Sequence, residues 1–162
     1  MLFRRSIVGV LAWLAAMPAS AHGPAPNGGK AGDPAKVTRT IEVVATENAF
    51  SLKALDVHDG ETVRFVVRND GMDPHELTIG TVAEHAEHRK LMKEMMELQK
   101  KGGHAGHSMA DMAHAGGVWV EPGKTASFVW LFQRTPNLEF GCNIPGHYQD
   151  GMHGAISFGG GQ

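Results

Sequence analysis

The sequence predicts an all-β domain: a two-sheet antiparallel β-sandwich into which one helix and one His/Met-rich loop are inserted. Three observations support this fold class. Short runs rich in Val, Ile, Phe and Thr alternate with polar residues, and Gly, Asp and Pro turns separate them. About seven such runs are typical of a β-sandwich. One long segment without Gly or Pro, residues 82–101, carries a helical pattern instead.

The first 21 residues are predicted to be a signal peptide. Two basic residues, Arg4 and Arg5, precede the apolar run 7–17, and the small-residue triplet 19–21 follows it. This order is typical of export, and the apolar run is too short to span a bilayer. We therefore exclude residues 1–21 from the fold and expect a periplasmic protein. The alternative is a buried N-terminal helix.

The remaining chain is expected to be one domain. Removal of the signal peptide leaves 141 of the 162 residues, enough for a sizeable core, and changes the formal net charge from −2 to −4. A mildly acidic chain with scattered bases has no nucleic-acid footprint, and no further apolar run predicts a membrane span. We expect a monomer without nucleic-acid or membrane partners.

Residues 22–38 are rich in Gly, Pro and Ala and predict a flexible leader, so the domain is expected to cover residues 39–162. The predicted strands are residues 40–46, 62–68, 76–79, 117–120, 125–132, 138–140 and 154–158.

An insertion at residues 82–117 interrupts the strand pattern. Its first part, residues 82–101, predicts a helix of about five turns. Leu91, Met95 and Leu98 share one face of this helix and are expected to pack on the sandwich. Glycines end the helix, and a loop of Gly, Ala, His and Met follows.

The chain contains a single cysteine, Cys142. Small exported domains often carry even sets of disulfides, so an unpaired thiol needs a reason. A buried inert cysteine is one alternative. The residues that follow favour another: four residues separate Cys142 from His147, and four more separate His147 from Met152.

A second imidazole, His75, stands far upstream at the start of a predicted strand. Two histidines and one cysteine form the trigonal set of a type 1 copper site, and a long axial methionine completes it. The mixture of soft sulfur and imidazole suits both Cu(I) and Cu(II). We predict one copper ion bound by His75, Cys142, His147 and Met152; the alternative is a coincidental arrangement of core residues.

These residues resemble the cupredoxin family, the type 1 blue-copper proteins related to plastocyanin and azurin. The resemblance covers residues 39–158 apart from the insertion, and the loop spacing is similar to that of rusticyanin and auracyanin. Phe140-Gly141 before the cysteine and Pro145-Gly146 before the histidine also match. The resemblance implies a Greek-key β-sandwich and the same four ligands.

The family resemblance also implies how electrons pass. His147 is expected to reach the surface as an electron port, ringed by Ile144, Pro145 and Met72, and a redox partner protein is expected to dock there. One position departs from the family. Many cupredoxins have Asn after the first histidine, where it ties the two ligand segments together, whereas this chain has Glu76, which cannot donate as an amide does. We expect altered hydrogen bonding at the sulfur.

Residue counts exclude related metal centres. A binuclear copper centre needs two cysteines, multicopper oxidases need several His-x-His motifs and a longer chain, and structural zinc would more often use several thiolates. Four protein ligands leave no open position for a substrate. We therefore expect a one-electron redox protein rather than an enzyme, with oxidation of Cu(I) as the enzymatic alternative.

The insertion predicts auxiliary copper binding, because thioethers select Cu(I) and imidazoles accept Cu(II). The candidate ligands in its loop are His104, His107, Met109, Met112 and His114. The loop resembles Met/His-rich stretches of bacterial copper-resistance proteins. His22 would become the mature N-terminus and could chelate Cu(II) with its amine. His85 and His88, on the helix, are interpreted as solvated residues.

The function predicted from these features is copper binding and tolerance in the periplasm, with one-electron redox at a type 1 centre. The His/Met-rich insertion favours tolerance, since an electron shuttle does not need it. The alternative is a dedicated electron carrier between redox complexes that uses the same ligands.

Overall fold

The computed structural model describes residues 28–102 and 116–159, which form a two-sheet β-sandwich with one helix. The strands are β1 (Gly29–Ala31), β2 (Arg39–Thr46), β3 (Ala49–Phe50), β4 (Ala54–Val57), β5 (Thr62–Asn69), β6 (His75–Thr81), β7 (Gly117–Val120), β8 (Thr125–Phe132), β9 (Leu138–Gly141) and β10 (His153–Phe158). The helix α1 (Val82–Lys100) follows β6, and a short 3₁₀ helix covers Pro34–Lys36. The predicted all-β class with one inserted helix is confirmed.

Each sheet has five strands. The first has the order β1-β8-β5-β2-β3 and the second the order β4-β10-β9-β6-β7. Most neighbours are antiparallel, but β2 pairs with β5, and β4 with β10, in parallel. The expectation of antiparallel pairing was therefore wrong at these two pairs. The chain leaves the first sheet after β3, adds β4 to the second, and returns to place β5 parallel to β2, because parallel neighbours require a crossover.

Strand β1 lies within the segment predicted to be a flexible leader, and that expectation does not hold for residues 29–36. β1 pairs with the edge of β8, with Gly29 opposite Phe132. At Gly29, where φ is 147°, an added Cβ would lie 2.1 Å from the carbonyl oxygen of Leu131. Glycine at this position therefore lets the chain lie close against β8. The sequence pattern predicted a flexible leader because glycine is common both in flexible segments and where two strands lie close together.

The core lies between the two sheets. Val43 and Phe65 of the first sheet and Leu77 and Phe140 of the second are completely buried. Along β2 and β5, buried and more exposed residues alternate, as expected for strands with one face toward a core. This packed framework carries the strand ends from which the candidate site is built.

Helix α1 packs through a face that the sequence did not predict. Its buried residues are His85 and Met92, whereas Leu91 and Leu98 are 50% exposed. The prediction that Leu91, Met95 and Leu98 form the packing face was therefore wrong for both leucines. His85 and Met92 are seven residues apart and share one side of a helix, and the polar contacts of His85 described below hold that side against the second sheet.

The start of α1 is fixed by a capping box. Thr81 Oγ1 accepts from the backbone N–H of Glu84, and the Glu84 carboxylate accepts from the Thr81 N–H at 2.7 Å. Within the described ranges, no helix has the length and apolar character needed to cross a membrane. The predicted signal peptide 1–21 and the candidate auxiliary ligands lie outside the described residues; those ligands are His22, His104, His107, Met109, Met112 and His114.

Candidate metal centre

His75 is held at the first position of β6 by the turn that precedes it. Asn69, at the end of β5, is fully buried and donates from Nδ2 to the carbonyl oxygens of Asp73 (2.8 Å) and Val120 (3.0 Å). Its Oδ1 accepts from the Gly71 N–H at 2.9 Å. One amide therefore fixes both sides of the turn and the neighbouring strand β7. His75 itself pairs with Val120 and is fully buried.

The other three predicted ligands lie on the loop that joins β9 to β10. Backbone hydrogen bonds close this loop: Cys142 N donates to Met152 O at 2.9 Å, and Met152 N donates to His147 O at 3.0 Å. Gly146 and Gly151 have φ values of 101° and 102°, a left-handed conformation that favours glycine. The result is a tight loop in which the Cys142 and Met152 side chains are completely buried.

Three of the four predicted ligands converge. The candidate donor atoms of His75, Cys142 and His147 all lie within 4.8 Å of one another. The two Nδ1 atoms of His75 and His147 are 3.2 Å apart, and Cys142 Sγ lies 3.5 Å from His147 Nδ1. His75 and Cys142 are 67 positions apart in the sequence, so the pairing of β6 with β9 creates this proximity.

Burial sets the protonation of these groups. Desolvation lowers the pKa of both His75 and His147, and at His75 the second imidazole lowers it further. Desolvation raises the pKa of the Cys142 thiol from 9.0 to about 12, although the backbone N–H groups of Glu76 and Ile144 donate to the sulfur and oppose this rise. Both imidazoles are therefore neutral, as metal ligands must be, whereas the thiol has to lose its proton to a metal.

The donor set fits copper. Imidazole nitrogen and thiolate sulfur together form the trigonal set of type 1 centres. Donor atoms on opposite sides of one ion, each about 2.0 Å from it, would be about 4 Å apart. The two Nδ1 atoms are closer than that, so they can bind one ion as adjacent ligands. Met152, buried and joined through its backbone to Cys142 and His147, supplies a thioether on the same loop.

Glu76 connects the two ligand segments, although a carboxylate cannot donate a hydrogen bond as the asparagine amide does. Its Oε1 accepts from the Asn143 backbone N–H (2.9 Å) and from Asn143 Nδ2 (2.8 Å). The residue after the cysteine thus donates to the residue after the first histidine, with the carboxylate as acceptor. Burial raises the Glu76 pKa, and the two bonds from Asn143 lower it in part. Sequence reasoning missed Asn143, although its position directly after Cys142 was a usable signal.

The surface around His147 differs in part from the prediction. His147 and Pro145 are half-buried and Met72 is 84% exposed, but Ile144 is buried. Ile144 was therefore wrongly expected to line an exposed patch; it is 7% exposed and belongs to the hydrophobic core. The adjacent Tyr148 ring stacks on His153 and lies under the guanidinium of Arg89.

Comparisons with known proteins agree with this fold. A family model described as a cupredoxin-like domain matches residues 7–117, and the chain belongs to the cupredoxin family.

Among curated proteins, the chain is 42% identical over 168 residues to the "copper-resistant cuproprotein CopI" of Pseudomonas aeruginosa, covering 93% of this chain and 92% of that protein. It is 37% identical over 131 residues to the protein of the same name from Rubrivivax gelatinosus, covering 79% of this chain and 71% of that one. The predicted likeness to copper-resistance cupredoxins is therefore confirmed.

Solved structures show the same fold at lower identity. Auracyanin B aligns with a TM-score of 0.62 at 19% identity, covering 82% of this chain and 97% of its own. Auracyanin A of Chloroflexus aurantiacus aligns with a TM-score of 0.56 at 19% identity, covering 74% of this chain and 98% of its own. At this identity the likeness concerns the fold alone.

Proposed function

We propose that this chain is an exported, mononuclear type 1 copper protein that acts in copper tolerance through a one-electron redox change at its copper. The observation that carries the proposal is the convergence of His75, Cys142 and His147 donor atoms within 4.8 Å. The names of the two curated relatives quoted above, both copper-resistant cuproproteins, support the role in tolerance. The basic, apolar and small-residue pattern of residues 1–21 supports export.

The proposed ligands are His75, His147, Cys142 and Met152. The two Nδ1 atoms face each other, so metal binding at Nδ1 leaves the proton of each neutral ring on Nε2. Copper, when bound, supplies a centre that exchanges one electron. The protein excludes water, because His75, Cys142 and Met152 are fully buried, and it donates two backbone N–H groups to the sulfur. Ligand side chains held this tightly should move little between the two oxidation states of copper.

Electron entry and exit are proposed to pass through His147. It is the one proposed ligand that is not fully buried, and the half-buried Pro145 lies two positions before it. A redox partner is proposed to dock at this surface. Four protein ligands leave no position for a substrate, so we propose a redox protein rather than an enzyme.

Spectroscopy of the copper-loaded protein tests the ligand assignment. One copper per chain with a strong thiolate-to-copper absorption band is expected for the wild type, since only a bound Cys142 thiolate produces such a band. Cys142→Ser should lose the band, and His58→Ala, an exposed histidine outside the site, should keep it. A Cys142→Ser variant that retains the band would show that the assignment is wrong.

A second experiment separates tolerance from electron carriage, the alternative function. His147, half-buried beside an exposed surface, also suits a carrier. Deleting residues 103–116 should leave the type 1 spectrum intact but lower the copper bound per chain and the copper concentration that a copper-sensitive host survives. Unchanged copper binding and growth, together with fast reduction by a partner protein, would favour the carrier.

A third experiment tests export. Fractionation of expressing cells should place the protein in the periplasmic extract, with an N-terminal sequence that begins at His22. A protein retained in the cytoplasm with residues 1–21 intact would contradict the proposed location.

A further inference from the structure

We propose that His85, on the inserted helix α1, is a positioning residue for the copper site, acting through Asn143 on the hydrogen bonds to the Cys142 sulfur. The inference rests on the proposed copper function and extends it to a part of the chain outside the four ligands. It makes the helix a determinant of the copper site rather than an appendage of the sandwich.

The first step is the contact itself. His85 is one of the two buried residues of α1, and its Nδ1 lies 3.0 Å from Asn143 Oδ1. Its Nε2 lies 3.3 Å from the carbonyl oxygen of Glu139 in β9. An amide oxygen only accepts, so the shorter contact places the proton on His85 Nδ1; in this tautomer Nε2 has no proton, and its approach to the Glu139 carbonyl oxygen is a contact without a donated hydrogen bond. The helix thereby reaches both the copper loop and the strand that leads into it.

The second step is that Asn143 has no freedom left. Its Nδ2 donates to Glu76 Oε1 and to Thr78 Oγ1, each at 2.8 Å, and its backbone N–H donates to the same Glu76 oxygen at 2.9 Å. These acceptors fix which side of the carboxamide is oxygen, and that oxygen faces His85. Strand β6 and helix α1 therefore hold the amide from opposite ends. The residue is completely buried.

The third step connects Asn143 to the sulfur. Asn143 lies between Cys142 and Ile144, and Ile144 and Glu76 are the residues whose backbone N–H groups donate to Sγ. Glu76 thus accepts from Asn143 through its side chain and donates to the sulfur through its backbone, while Ile144 directly follows Asn143 in the chain. If the His85 contact is removed, the carboxamide is released on one side and the Ile144 N–H can move. Hydrogen bonds to the cysteine sulfur tune the potential of such centres, so a weaker bond should favour Cu(II).

The helix contributes a further contact at the same place. His88, three residues along α1, has its Nε2 3.7 Å from Glu76 Oε2, and its Nδ1 lies 3.4 Å from Asn143 Nδ2. Two successive contacts of α1 therefore face the Glu76–Asn143 pair. The same helix offers a matched control in Glu87, an exposed residue two positions from His85.

The test compares His85→Leu with His85→Gln and Glu87→Ala. In His85→Leu, the ratio of Cu(I) to Cu(II) affinity should fall about tenfold, a decrease of about 59 mV for one electron, and the thiolate-to-copper band should shift. His85→Gln retains an N–H donor and should restore most of both values. Glu87→Ala should match the wild type. A His85→Leu protein with wild-type band and potential would overturn the proposal.

Two further measurements keep the outcome decisive. In metal-free protein, hydrogen exchange at the Ile144 amide should be about tenfold faster in His85→Leu than in the wild type, a result that does not depend on copper. In an Asn143→Ala background, His85→Leu should cause little further change, because the contact is already lost; additive effects would contradict the inference.

The same experiments separate the inference from the proposed function. A wild-type protein without a thiolate-to-copper band would refute the copper function. A normal wild-type band with no response to His85→Leu would refute only the role of His85. If His85→Leu does not fold, Asn143→Ala removes the same contact from its other end and should shift the band, whereas His85→Gln, which keeps the donor, should not.

Discussion

The metal-free protein should protect its single cysteine by keeping it protonated. Cys142 is completely buried, and desolvation raises the pKa of its thiol from 9.0 to about 12. At any pH below 9 the folded chain therefore holds about a thousandfold less thiolate than the unfolded chain. Since the thiolate is the nucleophile, iodoacetamide should alkylate the folded protein about a thousandfold more slowly at pH 8.

The pH dependence distinguishes this cause from simple steric protection. The alkylation rate of the unfolded chain in guanidinium should level off just above pH 9, whereas that of the folded chain should continue to rise about tenfold per pH unit to pH 11. Mass spectrometry of the alkylated protein measures both rates. An alkylation rate of the folded protein that levels off near pH 9 would refute the reasoning, because it would mean that burial does not raise the pKa of the Cys142 thiol.

The same shift predicts a loss of stability in alkali. The folded-state pKa is the higher one, so the thiol contributes stability that is fully present below pH 9.0 and is lost as the pH rises toward 12. Between pH 8 and pH 11 the loss is about 3 kcal/mol. Urea unfolding of the wild type and of Cys142→Ser isolates the loss of stability that is due to the thiol, because the variant lacks the thiol but shares every other titrating group. Equal losses in both proteins would contradict the assignment.

Three further predictions concern the framework of the site. Asn69→Ala should lower the free energy of unfolding by about 1–3 kcal/mol, measured in urea, because two carbonyl oxygens lose their buried donor. Met92→Ala, at a fully buried helix position, should lower the free energy of unfolding by about 2–5 kcal/mol. Leu98→Ala, at a half-exposed position, should change it by less than about 0.5 kcal/mol. Similar values for the two variants would refute the observed packing face. Tyr148 is the only tyrosine of the sequence, and partial burial and its hydrogen bond to Glu139 raise its pKa. Its absorbance should therefore titrate above pH 10, and Glu139→Gln should lower the pH of this transition. An unchanged transition in Glu139→Gln would exclude the contact as a cause.

The local patterns of the sequence predicted much of the fold. β7 and β8 have the predicted bounds, and β2, β5 and β9 differ by one residue at an end. Strands β1 and β3 were missed because runs of three and two residues carry too little alternation to be recognised, and the four-residue strand β4 was missed as well. The helix was predicted from composition, but its packing face was not, because the face is chosen by polar contacts of His85 rather than by the apolar stripe.

What the sequence by itself determined is the chemistry of the site. A thiol, an imidazole and a thioether at fixed short spacing must share one loop whatever the rest of the chain does, and their donor types restrict the metal. Only the tertiary structure decided how that loop is held. Glu76, His85 and Asn143 meet because β6 pairs with β9 and α1 docks beside them, contacts that join residues 58 and 67 positions apart. Such contacts depend on strand register and on the choice of helix face, and neither is encoded in the residues around any one of the three.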